Sequence, residues 1–338
     1  NNKQIVFTSP GVAELLPTEM PIPGENEVLV QIMVSTISSG TERANVSGEV
    51  NISVHYQRST AVFPRYGGYS SAGIVREIGC NVSSVKPGDR VAISWSRHAY
   101  YVCVEETNVH LIESDAVSFE AAALGLIGAF PLAALRKCRL EIGESIVIMG
   151  LGVLGLIGVQ LARAAGAYPV VAVDPIASKR ERAMQIGADT ALAPFSEDFA
   201  LRIKEVTYGG AKTALEVTGN GQALNTLLDG MCPMGRVALL GCTRNSNFTV
   251  DYYHKVHGPG ISLIGAHTLA RPQFESSPSL WTHHDDILAL LRLEAGKRIQ
   301  LALLVEETHK PEEAPEIYRR LVEGSAFPVV QFDWRTEA

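Results

Sequence analysis

Residues 145–163 read SIVIMGLGVLGLIGVQLAR, and the fold turns on how this apolar tract is divided. Taken whole, it has the length of a membrane helix. Three glycines at spacings of two and three residues, Gly150, Gly152 and Gly155, break it. A buried strand ending at Gly150 and a helix opening at Val153 fit the pattern better than a single span does. Beyond the tract, the apolar strands PVVAVD (169–174), TALEVT (213–218), RVALLG (236–241) and ISLIGA (261–266) follow, separated by helical stretches such as 153–166 and 177–187. Fully apolar strands alternating with helices predict a parallel sheet covered on both faces.

The flanking regions read differently. In residues 1–113, EVLVQIMVSTI (27–37), GIVREIG (73–79) and RVAISW (90–95) are strands, the last entered by a turn at Pro87, Gly88 and Asp89. With no room for long helices, this region predicts a compact, partly open β-barrel. Ser118 caps a helical stretch, SFEAAALGLIGAFPLAALRKC. The tail offers helices at 283–295 and 312–324 and a last strand, FPVVQF, and is expected to return to the first domain. The expected division is therefore a domain of residues 1–120 with 271–338, and a domain of residues 121–270.

A chain of 338 residues suits two domains. A composition 46% hydrophobic and 19% charged excludes a disordered chain. Net charge is −7 with no basic run, which speaks against a nucleic-acid partner. The sequence enters an alternating pattern at once, with no signal-peptide pattern. Five scattered cysteines, Cys80, Cys103, Cys138, Cys232 and Cys242, have no metal-ligand spacing and read as reduced thiols of a cytoplasmic protein.

The glycines of the opening tract form Gly150-x-Gly152-x-x-Gly155 between strand and helix, and Asp174 closes the next strand. That is the context of a dinucleotide fingerprint. Gly150 permits the turn, Gly152 lets backbone approach a pyrophosphate, and Gly155 lets helix and strand pack. The helix start at Val153 and Leu154 presents N–H groups and a positive dipole end to phosphate. Asp174 would take the adenosine ribose hydroxyls and repel a 2′-phosphate, which favours NAD over NADP. Lys179 and Arg180 lie close enough in sequence to serve a phosphate instead.

Six pieces in order, ISSGTE (37–42), GGYSSAGIVREIG (67–79), VKPGDRVA (85–92), GESIVIMGLGVLG (143–155), LEVTGN (215–220) and GRVALLG (235–241), resemble the medium-chain dehydrogenase/reductase superfamily over nearly the whole chain. SGTER and GGYSSAG are similar to a zinc-free branch that includes bacteriochlorophyllide-type hydroxyethyl dehydrogenases. The resemblance implies a GroES-like catalytic barrel, a doubly wound Rossmann domain and a cleft at their junction. It also implies cofactor contacts at Thr218 and Gly241. The edge strand within 259–267 would pair with its twin, giving a homodimer or a dimer-built tetramer.

The departures from the family concern zinc. Ser39 stands where the first zinc ligand would be, Tyr69 and Ser70 replace a His-Glu pair, and residues 121–135 hold no Cys, His, Asp or Glu. Neither a catalytic zinc nor a four-cysteine structural lobe is expected. By resemblance, the proton chemistry falls to Tyr69, Thr41, Glu42 and Ser39. Glu42 is expected beside Tyr69, orienting it or itself accepting the proton. Trp95 and the loop residue His55, near Tyr56 and Arg58, are candidate substrate contacts. His98 reads as structural, and His254 and His257 as residues near the cleft or an interface. The leading expectation is a zinc-independent, NAD-dependent dehydrogenase of a secondary alcohol on a polyol or ring-bearing compound. A reductase of activated double bonds or quinones, and a nucleotide-binding protein without turnover, are the alternatives.

Overall fold

Strand Glu27–Thr36 is buried along most of its length because Val28, Leu29, Val30, Ile32, Met33 and Val34 present apolar groups to both faces. A computed structural model describes residues 2–50, 60–324 and 326–335. In it, this strand pairs antiparallel with Ser70–Ile78 along one edge. Along the other it pairs first with Tyr101–Glu105 and then, near its end, with Val330–Asp333. Register shifts at Leu29/Val30 and Ile32/Val34 bend the strand. The sheet continues from Ser70–Ile78 to Arg90–Ser94 and Val109–Leu111. A second sheet, Val12–Thr18, Asn2–Ser9 and Arg65–Tyr66, is stitched on where Ile5 N–H donates to His98 O (2.8 Å) and Tyr100 N–H to Lys3 O (3.1 Å). The seven-stranded sheet ends on two different strands, Glu307–His309 and Val109–Leu111, so the barrel is partly open. Phe7, Ile32, Ile93, Tyr318, Phe332 and Trp334 fill it.

The other half is a six-stranded sheet in the order Thr190–Leu192, Val170–Val173, Ile146–Met149, Ala211–Glu216, Met231–Leu239, Ser262–Gly265. Every neighbouring pair is parallel. Helices Val153–Ala164, Ala177–Ile186, Phe199–Val206 and Gly221–Asp229 connect the strands. The chain starts in the middle, winds to one edge, then returns and winds to the other. The order therefore reverses between Ile146–Met149 and Ala211–Glu216, which is the topological switch point of a doubly wound sheet. Val147, Met149, Val171, Val173, Leu227 and Val237 form its core. The outermost strand, Ser262–Gly265, keeps Ser262, Leu263 and Gly265 exposed. Among the described residues, no helix is long and apolar enough to cross a membrane.

The chain divides into residues 1–127 with 287–338, and residues 128–286, rather than at 120/121 and 270/271 as the sequence suggested. Side chains explain both shifts. Ser118 does cap a helix, its Oγ accepting Ala121 N–H (3.1 Å), but that helix ends at Ala122. The Ala123 carbonyl is taken instead by the hydroxyls of Thr36 (2.9 Å) and Ser70 (2.8 Å), which tie the segment to the barrel before the helix Gly125–Lys137 starts. At the other crossing, Asp286 accepts Arg136 Nε–H (2.8 Å) and Arg271 Nη1–H (3.0 Å), and Arg271 also donates to Ala129 O (2.7 Å). These bonds hold 271–286 with the helix Gly125–Lys137.

Asp286 is fully buried between the two guanidinium groups, and the Arg271 side chain is 5% exposed. Asp286→Ala leaves both cations without their counter-ion and should lower the unfolding free energy by about 3–5 kcal/mol in equilibrium urea unfolding. Asp286→Asn, which keeps an acceptor, should cost less. A loss below about 1 kcal/mol for the alanine variant would mean that the triad is solvated like a surface pair.

Candidate active site

At the switch point, Gly150 has φ +103°, a left-handed conformation that L side chains rarely adopt. Gly152 is the N-cap of helix Val153–Ala164, and a Cβ there would have nothing within 4 Å, so the helix N-terminus faces open space. A Cβ on Gly155 would lie 1.9 Å from Gly150 O, so helix and turn are in backbone contact. Leu156 N–H makes the first intrahelical bond, to Gly152 O, which leaves the N–H groups of Val153, Leu154 and Gly155 at the positive end of the helix. These residues fit a bound pyrophosphate.

Asp174 is only 6% exposed. Its Oδ2 accepts Leu151 N–H and its Oδ1 accepts Ile176 N–H, each at 2.9 Å, so the carboxylate already ties the glycine turn to the strand end. A carboxylate oxygen has a second lone pair, so ribose hydroxyls can still bond there. Arg180 donates to Asp174 O (2.7 Å) and Pro175 O (2.9 Å); Lys179, one residue before it on the helix, is half-buried.

Thr218, expected as a cofactor contact, lies just past the end of strand Ala211–Glu216. Its hydroxyl donates to Glu216 and accepts Asn220 N–H (3.0 Å), so it is committed within its own turn. What it presents to the glycine turn is its methyl group, 2.8 Å from where a Gly150 Cβ would stand. Gly241 donates its N–H to Glu216 O (2.8 Å), and a Cβ there would be 2.2 Å from Gly219 N.

In the barrel unit, Ser38 is the N-cap of helix Ser39–Val46. Tyr69 precedes strand Ser70–Ile78, and its phenol donates to Ser38 Oγ. Ser39, the next residue, is half-buried at the start of the helix. Thr41, on the first turn of the helix, is half-buried. Glu42 is 1% exposed and does not bond Tyr69 as expected. One carboxylate oxygen accepts Ser38 N–H (2.9 Å); the other meets His98 Nε2 (3.0 Å) and the Tyr318 hydroxyl. Through Ser38, whose N–H it accepts and whose hydroxyl meets the phenol, Glu42 is linked to Tyr69.

His98 is fully buried, as a structural residue should be, with Nδ1 on Ser35 Oγ (2.7 Å), which also accepts Trp334 Nε1–H (2.7 Å). Burial first, then the charge of Glu42, pushes the Tyr318 phenol well above its ordinary pKa, so it stays a donor.

Trp95 is 42% exposed and so is not a barrel-core tryptophan. Its φ is +59°, its N–H donates to Tyr69 O (2.7 Å), and its ring centroid lies 5.9 Å from that of Tyr69. His55, Tyr56 and Arg58 lie outside the described residues. His254 and His257 are both exposed on the short helical segment Tyr253–His257, where His254 Nδ1 meets Asp251 (2.9 Å).

Of the positions that the resemblance assigns to zinc ligands, two carry the hydroxyls of Ser39 and Tyr69 where zinc takes thiolate and imidazole, and the third falls in a stretch, 121–135, without Cys, His, Asp or Glu. Among the described residues, no group of three or more His, Cys, Asp and Glu side chains is placed to hold a metal ion. The described residues at these positions do not fit a catalytic zinc. Sequence reasoning missed Ser38, Tyr318 and the clamping role of Glu216. Ser38 was legible as the neighbour of Ser39; Tyr318, 276 positions from Glu42, left no local signal.

Residues 24–135 match the family model of the alcohol dehydrogenase GroES-like domain, and residues 153–280 that of zinc-binding dehydrogenases. The chain is 30% identical to L-threonine 3-dehydrogenase of Pyrococcus horikoshii, over 77% of this chain and 81% of that one. It is 28% identical to D-guloside 3-dehydrogenase of Shigella flexneri, over 80% and 82%. The structure of benzyl alcohol dehydrogenase from Acinetobacter calcoaceticus superposes with a TM-score of 0.83 at 20% identity, covering 98% of this chain and 99% of that one.

Proposed function

Because the chain belongs to the alcohol dehydrogenase-like medium-chain dehydrogenase/reductases, an oxidoreductase family acting on alcohols, we propose that it is a zinc-independent, NAD-dependent dehydrogenase of a secondary alcohol. The family model carries zinc in its name, so the zinc-free part of the reading rests on this chain's own residues. One observation carries it: at a position where the family places a ligand, Tyr69 holds a phenol against the Ser38 hydroxyl and a ring beside Trp95.

A bound nicotinamide supplies the hydride acceptor. Tyr69 then carries the proton, accepting it from the alcohol as phenolate or giving it to the carbonyl as phenol. Ser38 fixes the phenol's direction, and Glu42 fixes Ser38 by its backbone N–H. Glu42 does not contact Tyr69 and its charge is compensated by its own donors, so it opposes a phenolate less than an adjacent free carboxylate would. The paired rings of Tyr69 and Trp95 favour a ring-bearing or polyol substrate with C–H faces to pack. Relatives named for position 3 of threonine and of a guloside agree with a secondary alcohol.

Tyr69→Phe should lower kcat by about 10²–10⁴ with little change in nucleotide affinity. Elemental analysis of active enzyme should find no stoichiometric zinc, and chelators should leave the rate unchanged. Stoichiometric zinc in active protein, or wild-type kcat in the phenylalanine variant, would overturn the reading.

Cofactor choice rests on Asp174. Lost ribose bonds and repulsion of a 2′-phosphate should favour NAD over NADP by at least about a hundredfold in kcat/KM, near 2.7 kcal/mol. Asp174→Ser should narrow that ratio through Lys179 and Arg180. It should also lower efficiency with both cofactors, because Leu151 and Ile176 lose their acceptor. Equal use of both cofactors by the wild type would sink the assignment and revive a double-bond reductase.

The exposed edge strand Ser262–Gly265 offers unpaired backbone groups to a second copy. A dimeric or tetrameric mass is expected in solution at micromolar concentration, and a strictly monomeric mass would contradict it.

A further inference from the structure

One side chain governs two turns at the C-terminal ends of neighbouring strands. Glu216, the last residue of Ala211–Glu216, is 3% exposed. Its Oε1 accepts the N–H (2.8 Å) and the hydroxyl of Thr218, and its Oε2 accepts Gly219 N–H (3.1 Å). Its main-chain carbonyl accepts the N–H groups of Leu240 (2.9 Å) and Gly241 (2.8 Å), which follow Met231–Leu239. The turns touch backbone to backbone. Gly219 has φ +65°, and a Cβ there would lie 2.6 Å from Cys242 O. Burial pushes the Glu216 carboxyl above its usual range, and the bonds from Thr218 and Gly219 oppose that rise. A buried carboxylate whose donors come from its own turn is an expensive way to close a loop. A task beyond closure is the natural reason to keep it.

The position supplies that task. Ala211–Glu216 and Ile146–Met149 flank the point where strand order reverses. In doubly wound sheets a dinucleotide spans that point, with one mononucleotide half on each side. Asp174 and the glycine turn serve the adenosine half. The Thr218–Gly219 and Leu240–Gly241 turns lie at strand ends on the other side. We propose that Glu216 is a positioning residue for the non-adenosine half of the bound dinucleotide, fixing the two turns that wall it. The proposal rests on the dinucleotide reading and deepens it.

The test compares AMP, which probes only the adenosine half, with NADH, by isothermal titration calorimetry. Glu216→Gln keeps volume and one acceptor but sets an amide NH₂ against Gly219 N–H. Gly219→Ala disturbs the same turns without touching the carboxylate. Both variants should weaken NADH binding at least about tenfold, or 1.4 kcal/mol, and leave AMP affinity within about twofold, a change of about 0.4 kcal/mol. A general loss of structure would weaken both ligands and lower the melting temperature of the free protein. If Glu216→Gln fails to fold, Gly219→Ala decides. Unchanged NADH affinity, or equal losses for AMP and NADH, overturns the role of Glu216. A wild type that binds neither ligand overturns the dinucleotide reading itself.

Discussion

The barrel unit is organised around a carboxylate taken out of water. Burying an isolated ionised carboxylate is prohibitively costly, and the group persists only where donors replace its solvent. Glu42 has three: Ser38 N–H, His98 and Tyr318. They come from the entry of a helix, a loop between strands and a helix near the end of the chain. Their convergence requires the tail to return to the barrel, which strand Val330–Asp333 does by pairing with Glu27–Thr36. A Cβ on Gly67 would stand 2.9 Å from the same carboxylate and 2.7 Å from the Phe7 ring, so the chain passes there as glycine.

The parallel unit repeats the device. Asp174 holds the glycine turn by Leu151 N–H, Glu216 holds two turns, and Asp286 binds two arginines. A charge-assisted hydrogen bond contributes about 1.5–3 kcal/mol, so two or three offset much of the several kcal/mol that desolvation costs. The net gain in stability is small. What the arrangement yields is geometry: each turn is fixed by a group that cannot move without stranding a charge.

That distinction also explains what the sequence disclosed. Five of the six strands in 145–266 were legible because they are largely apolar and glycines punctuate one strand-to-helix turn, whereas the three-residue strand Thr190–Leu192 was too short to read. The fingerprint residues Gly150, Gly152, Gly155 and Asp174 were legible because their spacing is local. The helix break after Ala122 was not, since it depends on Thr36 and Ser70 reaching the Ala123 carbonyl from other strands. Likewise the pairing of Glu42 with His98 and Tyr318 was not legible, because both partners are remote in sequence. Thr218 was read as the end of strand 213–218, whereas the strand stops at Glu216, whose carboxylate takes the Thr218 hydroxyl; that bond went unseen.

Trp95 carries a backbone strain that spacing could not reveal. A bulky residue with positive φ costs about 1–3 kcal/mol, and such a conformation persists only where its surroundings enforce it. One enforcing contact is the bond from Trp95 N–H to Tyr69 O, at the mouth of the pair Ser70–Ile78 and Arg90–Ser94. Folding alone gives little return, because the indole is left 42% exposed instead of joining the core. The strain instead fixes an exposed indole 5.9 Å from the ring of Tyr69. The same short stretch of backbone thus sets both the phenol on Ser38 and the aromatic surface beside it. A substrate packed on that surface would be held in a fixed relation to the group proposed to move its proton.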